Sequence, residues 1–186
     1  MTIIDTCIFD FTGQKNLGRA YNEAMANAPD DSHVILRDGD TCWLTPDYGV
    51  HVAEYIRRYQ DAVLTCWTNR INEKAEQQAP GNRSQPDMRE HMKLAESCKA
   101  NLYRTTPLHG FVSGFCLIVP KKVWQQHKFS EVQKYEDRGP TNMLGVDNDW
   151  TNRVRAAGIP VLRMDGIYIW HTYRLLTGDN DKTHLL

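Results

Sequence analysis

The chain has no long apolar run. The longest clean one is Phe115–Val119, far short of the ~18 residues of a membrane-spanning helix, so no transmembrane segment is expected. No basic stretch leads into an apolar one at the N-terminus, which speaks against a secretory leader. Charge of one sign is not in excess: 22 lysines and arginines stand against 23 aspartates and glutamates, for a net charge of −1. A near-neutral chain lacks a broad basic field, and nucleic acid is not an expected partner. The five cysteines, Cys7, Cys42, Cys66, Cys98 and Cys116, are an odd number without a Cys-x-x-Cys pair. That fits neither a disulfide framework nor a zinc knuckle. Small buried thiols in a reducing, cytoplasmic setting are the expectation. Internal repeats and low-complexity tracts are absent too.

What is present suits one globular domain. The 186 residues, 41% of them apolar, are enough for a sizeable core. Thr6–Phe11 is β-prone, and Leu17–Ala28 carries small and apolar residues at helical spacing, with Asn16 as N-cap and Pro29 as stop. Ser32–Arg37 contains Val34-Ile35-Leu36 and reads as a buried strand. Thr45-Pro46 predicts a helix start with Thr45 as N-cap, the helix running to about Tyr59 with Val50, Ala53, Ile56 and Tyr59 on its apolar side. Ala62–Thr68 is again strand-like. This β-α-β-α-β order predicts an α/β fold with a mostly parallel central sheet flanked by helices.

Residues 70–108 read as a polar excursion ending in a helix near Met88–Tyr103. Beyond it, Val112–Val119 predicts a strand, Lys121–His127 a helical turn, and Gly145–Ala157 a helix stopped by Gly158. Val161–Met164 and Ile167–Trp170 predict short strands on either side of Asp165-Gly166, and Gly178–Leu186 a frayed tail.

Four short pieces could carry chemistry. Asp38-Gly39-Asp40 places two hard oxygen ligands at the end of a buried strand, where α/β sheets bind ligands, although Asp-Gly-Asp is also ordinary turn chemistry. Gly145-Val146-Asp147-Asn148-Asp149 places carboxylates at a helix start, as a general base or simply as favourable charge at the helix dipole. His171 ends a β-prone run and is either a packed histidine or a neutral imidazole ligand. The other six histidines show no metal-like spacing. Asn16-Leu17-Gly18-Arg19 opens a helix where a phosphate could approach, but it lacks the glycine spacing of a dinucleotide fingerprint or P-loop.

The order of these pieces resembles a known family. Asn16-x-Gly18 with Ala20-Tyr21-Asn22, then a strand ending in Asp38-x-Asp40, then Gly114-Phe115-Cys116-Leu117-Ile118-Val119, then Asp147-Asn148-Asp149 on a helix that reaches Arg153 and Ala157-Gly158, then Ile169-Trp170-His171: this series is similar to that of GT-A fold, Rossmann-like glycosyltransferases, nearest to the family 2-like group. It spans Asn16–His171. The resemblance implies a metal-dependent enzyme that moves a sugar from a nucleotide-sugar, a UDP-sugar first among the candidates, to an acceptor hydroxyl with inversion. Asp38 and Asp40 would carry Mn²⁺ or Mg²⁺ against the diphosphate, with His171 as a further ligand. Asp147 would be the base. Asn16, Arg19 and Asn22 would lie near the donor, and Gly114 would permit close approach. The family's usual N-terminal β-α units, with the aspartate that reads the nucleobase, have no counterpart ahead of Asn16. Asp5 and Asp10 are the acidic residues nearest to that place, and Val146 stands where the family has glutamate. Two rivals remain at this point: a non-catalytic binding module derived from the same fold, and a nucleotidyltransferase.

Overall fold

The computed structural model describes residues 1–8, 15–71, 75–80, 86–132 and 142–172; Asp10 and the 178–186 tail lie outside the described residues. Among the described residues, seven strands form one sheet: β1 (Thr2–Ile8), β2 (Ser32–Asp38), β3 (Thr41–Trp43), β4 (Val63–Thr68), β5 (Thr105–Pro107), β6 (Cys116–Pro120) and β7 (Val161–His171). They lie in the order β1-β2-β6-β4-β7-β3, with β5 paired beside β3 along the outer side of β7. The helices are α1 (Leu17–Ala26), α2 (Tyr48–Arg58), α3 (Met88–Cys98), α4 (Lys121–Gln126) and α5 (Val146–Ala156), with a 3-10 turn at Lys99–Asn101.

The sheet is mixed rather than mostly parallel. β1 runs parallel to β2, and β4 to β7, while β6 lies antiparallel to both β2 and β4, and β3 and β5 lie antiparallel to β7. The expectation failed because α3, the 3-10 turn and β5 all intervene between β4 and β6. A single crossover helix, which would return the chain in parallel, does not connect them. β1, β2, β4 and β7 still point the same way, so their C-terminal ends meet at one sheet edge.

Period-two alternation divides the core. Val34, Leu36, Val63, Leu117 and Val119 face α1, α4 and α5, against Tyr21, Met25, Trp124, Trp150 and Val154. Ile35, Leu64, Cys66 and Ile118 face the other way, against Val52, Tyr55 and Ile56 of α2. α3 covers β7 through His91, Ala95 and Cys98. All five cysteines are free thiols. Among the described residues, no helix is long and apolar enough to cross a membrane.

Two local expectations are corrected. The α2 helix begins at Tyr48, after Asp47 in a left-handed turn (φ 54°). Thr45 does not cap it. Its hydroxyl accepts from the Tyr168 N–H at 2.8 Å, tying β3 to β7. Val50 is 70% exposed, and the apolar side of α2 is built from Val52, Tyr55 and Ile56 instead. The two short strands expected around Asp165-Gly166 are one strand, β7, whose register against β4 jumps between Met164 and Tyr168. Gly166 lies within this bulge, where a Cβ would meet the Leu102 backbone at 2.6 Å, so glycine lets that segment close over β7.

Candidate functional site

The shared sheet edge gathers the chemistry. Asp38 ends β2, His171 ends β7, and Asn69 follows β4. α1, α2 and α5 each precede a strand of the common direction, β2, β4 and β7 respectively, so each runs back against the sheet and starts at this edge. Their N-termini bring partial positive charge there.

The Asp38–Thr41 turn is pinned at both ends. The Asp38 N–H donates to the Phe115 carbonyl at 2.9 Å, and the Thr41 hydroxyl donates to the Asp38 carbonyl at 2.7 Å. The Thr172 N–H and hydroxyl both donate to the Asp40 carbonyl at 3.1 Å. β3 then pairs with β7, Thr41 opposite His171. The link from β2 to β3 is so short that the carboxylates are carried to the imidazole. His171 Nε2 lies 3.1 Å from Asp40 Oδ1 and 3.6 Å from Asp38 Oδ2. The His171 ring is buried and packs on Phe115, centroids 5.6 Å apart.

These three side chains offer ligand atoms within 4.8 Å of one another, and they form such a group among the described residues. The donor set suits a hard to borderline divalent ion. Ligands at ~2.1 Å about an octahedral ion stand about 3.0 Å apart when adjacent and about 4.2 Å when opposite. The Asp40–His171 separation of 3.1 Å already matches the adjacent value, and the 3.6 Å between Asp38 and His171 is somewhat longer than it. Three protein ligands leave positions for other oxygens.

The Asp38 carboxyl is perturbed by its surroundings. Burial pushes the Asp38 carboxyl up to about 6; the His171 imidazole opposes this, and the Asp40 and Asp147 carboxylates add to it. Its side chain keeps 38% exposure, so water screens part of the penalty.

Asp147 lies close enough to this cluster for its charge to act on Asp38. It is the second residue of α5. Its Oδ2 accepts from the Gly114 N–H at 2.6 Å and its Oδ1 from the Asn148 N–H at 2.8 Å. Gly114 directly precedes Phe115, which is bonded to Asp38, so only one peptide separates the two anchor points. The Tyr21 hydroxyl donates to the Gly114 carbonyl at 3.3 Å, and burial first, then Asp38 and Asp147, hold this phenol in its neutral form. A Cβ at Gly114 would lie 2.7 Å from that hydroxyl and 2.9 Å from Asp147 Cβ. The need for glycine is therefore set by Tyr21 and Asp147 themselves. Asp149 faces elsewhere, with Arg153 Nε at 3.0 Å.

The first motif is built into the protein. Asn16 caps α1 by accepting from the Arg19 N–H at 3.0 Å, and it also bonds Asn142 Nδ2 and the Glu131 carbonyl. All four hydrogen-bonding positions of the buried Asn22 amide are occupied, by Trp124 Nε1, both peptide groups of Phe129, and Glu131. Gly18 is required because the Ser130 carbonyl would lie 1.9 Å from a Cβ there. Arg19 is exposed at the edge, with Glu23 at 3.2 Å. Asp5 is engaged by Arg37 Nε at 2.8 Å and Trp43 Nε1 at 3.1 Å.

Sequence reasoning gave no role to Asn69 or Gln77 and took Tyr21 and Phe115 only as parts of longer motifs. A polar residue directly after a buried strand, as Asn69 follows Thr68, is the signal that could have found Asn69. No family model matches the chain, and no curated protein or solved structure matches it.

Proposed function

We propose that the chain is a metal-dependent glycosyltransferase of GT-A type, taking a nucleotide-sugar, first among them a UDP-sugar, and an acceptor hydroxyl. The observation that carries the reading is the meeting of Asp38, Asp40 and His171 at one edge, with Asp147 held beside them through Gly114. The fold supports it at the coarser level, as a mixed α/β sheet with helices on both faces. The free cysteines accord with a cytoplasmic setting.

Asp38, Asp40 and His171 would hold Mn²⁺ or Mg²⁺, which when bound supplies positive charge against the diphosphate leaving group. The N-termini of α1 and α2 add partial positive charge for the same phosphates, and Arg19 offers an exposed guanidinium there. Asn16 shapes this donor side as the α1 cap, and Asn22 holds the Phe129–Glu131 segment that borders it. Asp147 would accept the proton of the acceptor hydroxyl as its oxygen attacks the anomeric carbon from the face opposite the diphosphate. The Gly114 N–H bond fixes one Asp147 oxygen and so orients the carboxylate. Inversion follows from that in-line displacement.

The test is turnover by Asp147→Asn with nucleotide-sugar, Mn²⁺ and an acceptor panel. The reading expects turnover to fall by at least ~10², with donor affinity within a few-fold; unchanged turnover removes Asp147 as base. Release of nucleoside diphosphate supports glycosyl transfer, whereas pyrophosphate would assign the site to nucleotidyl transfer.

A further inference from the structure

Two buried side-chain amides stand on the segment that follows β4. Asn69 is 4% exposed and Gln77 is fully buried. Each grips one backbone residue at both its N–H and its carbonyl, as a neighbouring strand would. The His171 N–H donates to Asn69 Oδ1 at 2.8 Å, and Asn69 Nδ2 donates to the His171 carbonyl at 3.1 Å. The Ser113 N–H donates to Gln77 Oε1 at 2.7 Å, and Gln77 Nε2 donates to the Ser113 carbonyl at 2.8 Å. Gln77 Nε2 also donates to Thr65 Oγ1 at 2.8 Å, anchoring it to β4.

The positions gripped are informative. β4 and β7 pair up to Thr68 opposite Ile169. Asn69 carries that ladder onward by side chain to His171, where β7 reaches Asp38 and Asp40. Ser113 precedes Gly114, whose N–H holds the Asp147 carboxylate. One short segment thus sets both halves of the edge, each by two hydrogen bonds that only a carboxamide supplies in this pattern.

We propose that Asn69 and Gln77 are positioning residues of this site, Asn69 fixing His171 beside the two aspartates and Gln77 fixing the Ser113–Gly114 peptide that orients Asp147. The inference rests on the proposed roles of His171 and Asp147. Its local part, which backbone each amide holds, stands apart from them.

The experiment compares Asn69→Ala, Gln77→Met, His171→Ala and the Asn69→Ala/His171→Ala pair in the full chain. Amide hydrogen exchange is read in metal-free protein, and Mn²⁺ alone is titrated by calorimetry. Asn69→Ala is expected to speed exchange at His171 by about tenfold or more and leave Ser113 within a few-fold, with the reverse in Gln77→Met. Asn69→Ala is expected to weaken Mn²⁺ about 10–100-fold, as loss of a partner that orients a ligand does, and Gln77→Met to leave it within about twofold. In the His171→Ala background Asn69→Ala is expected to add nothing, because its effect passes through His171. Equal loosening of both amides in both variants, or an undiminished Mn²⁺ loss in the double variant, overturns the proposal. If the unaltered protein binds no Mn²⁺, the metal reading fails while the exchange pattern still decides the positioning. If neither single variant folds, exchange of the Asn69 and Gln77 side-chain amide protons in the unaltered protein decides it: slow exchange supports the proposal, and free-amide rates overturn it.

Discussion

The Asp38 carboxyl is the most informative single group. Its folded value of about 6 lies above the ordinary 3.8, so the folded protein holds this proton more tightly than the unfolded chain does. The group therefore favours folding below about pH 4, and that contribution is lost as pH rises through about 6. Asp38→Asn is expected to flatten this part of the metal-free stability curve and to raise stability at pH 7.5, which denaturant titrations across pH 4–8 would check. A metal ion must displace the same proton, so Mn²⁺ affinity is expected to fall about tenfold per pH unit below pH 6. Affinity that stays flat from pH 7 to 5 would contradict Asp38 as a ligand. Gly114 carries a second expectation at this scale. Gly114→Ala would drive its Cβ against the Tyr21 hydroxyl and Asp147 Cβ. A displacement of that order lowers turnover about 10²-fold, with Mn²⁺ binding kept, as steady-state kinetics beside calorimetry would read. Asp38, Asp40, His171 and Asp147 were singled out in the sequence by the order of their motifs rather than by any one of them, since carboxylates in turns and at helix starts are common without a ligand. Asn69 and Gln77 were not, because a carboxamide that replaces a strand's hydrogen bonds has no spacing of its own.

At the scale of elements, the sequence was clearest where local chemistry decides. Asn16 was expected to cap α1 and does, and Gly158 was expected to stop α5 and takes φ 81° just beyond it. It was misleading where distant partners decide. Thr45-Pro46 has the look of a helix start, yet the Thr45 hydroxyl goes to the Tyr168 peptide of β7. β3 and β5 were missed, since each is three residues long and exists only through β7. The far end of α1 offers a test that needs no ligand. Lys121 is 4% exposed, donates to the carbonyls of Met25, Ala26 and Ala28, and places its ammonium over the Trp124 ring. It serves as the cation at the C-terminal end of the α1 dipole. Lys121→Met keeps the stem and strands those carbonyls, an expected loss of about 2–3 kcal/mol. In a domain this size that is a melting shift of roughly 4–12 °C, read by calorimetry; a shift under a degree would contradict the role.

For the whole molecule, topology explains why the site forms where it does. β1, β2, β4 and β7 share one direction, and the antiparallel β6 enters the sheet at the same edge through Gly114 and Phe115. The order of motifs along the chain was readable because each motif sits at an end of one of these elements. The mixed strand directions were not, because helix and strand alternation is silent on what the 47 residues between β4 and β6 do. A net charge of −1 offers little long-range attraction for the proposed anionic donor, so its affinity would have to come from the edge itself.

The most direct test of that account is the thermal stability of the protein with UDP-, GDP-, CMP- and dTDP-sugars, each with Mn²⁺ and with chelator. Ligand at a hundredfold excess over its dissociation constant stabilises the folded state by about 2.7 kcal/mol. A rise of several degrees with one nucleotide class, present with Mn²⁺ and absent with chelator and in Asp40→Ala, is the predicted result. A rise that persists with chelator, or no rise with any donor, would contradict it.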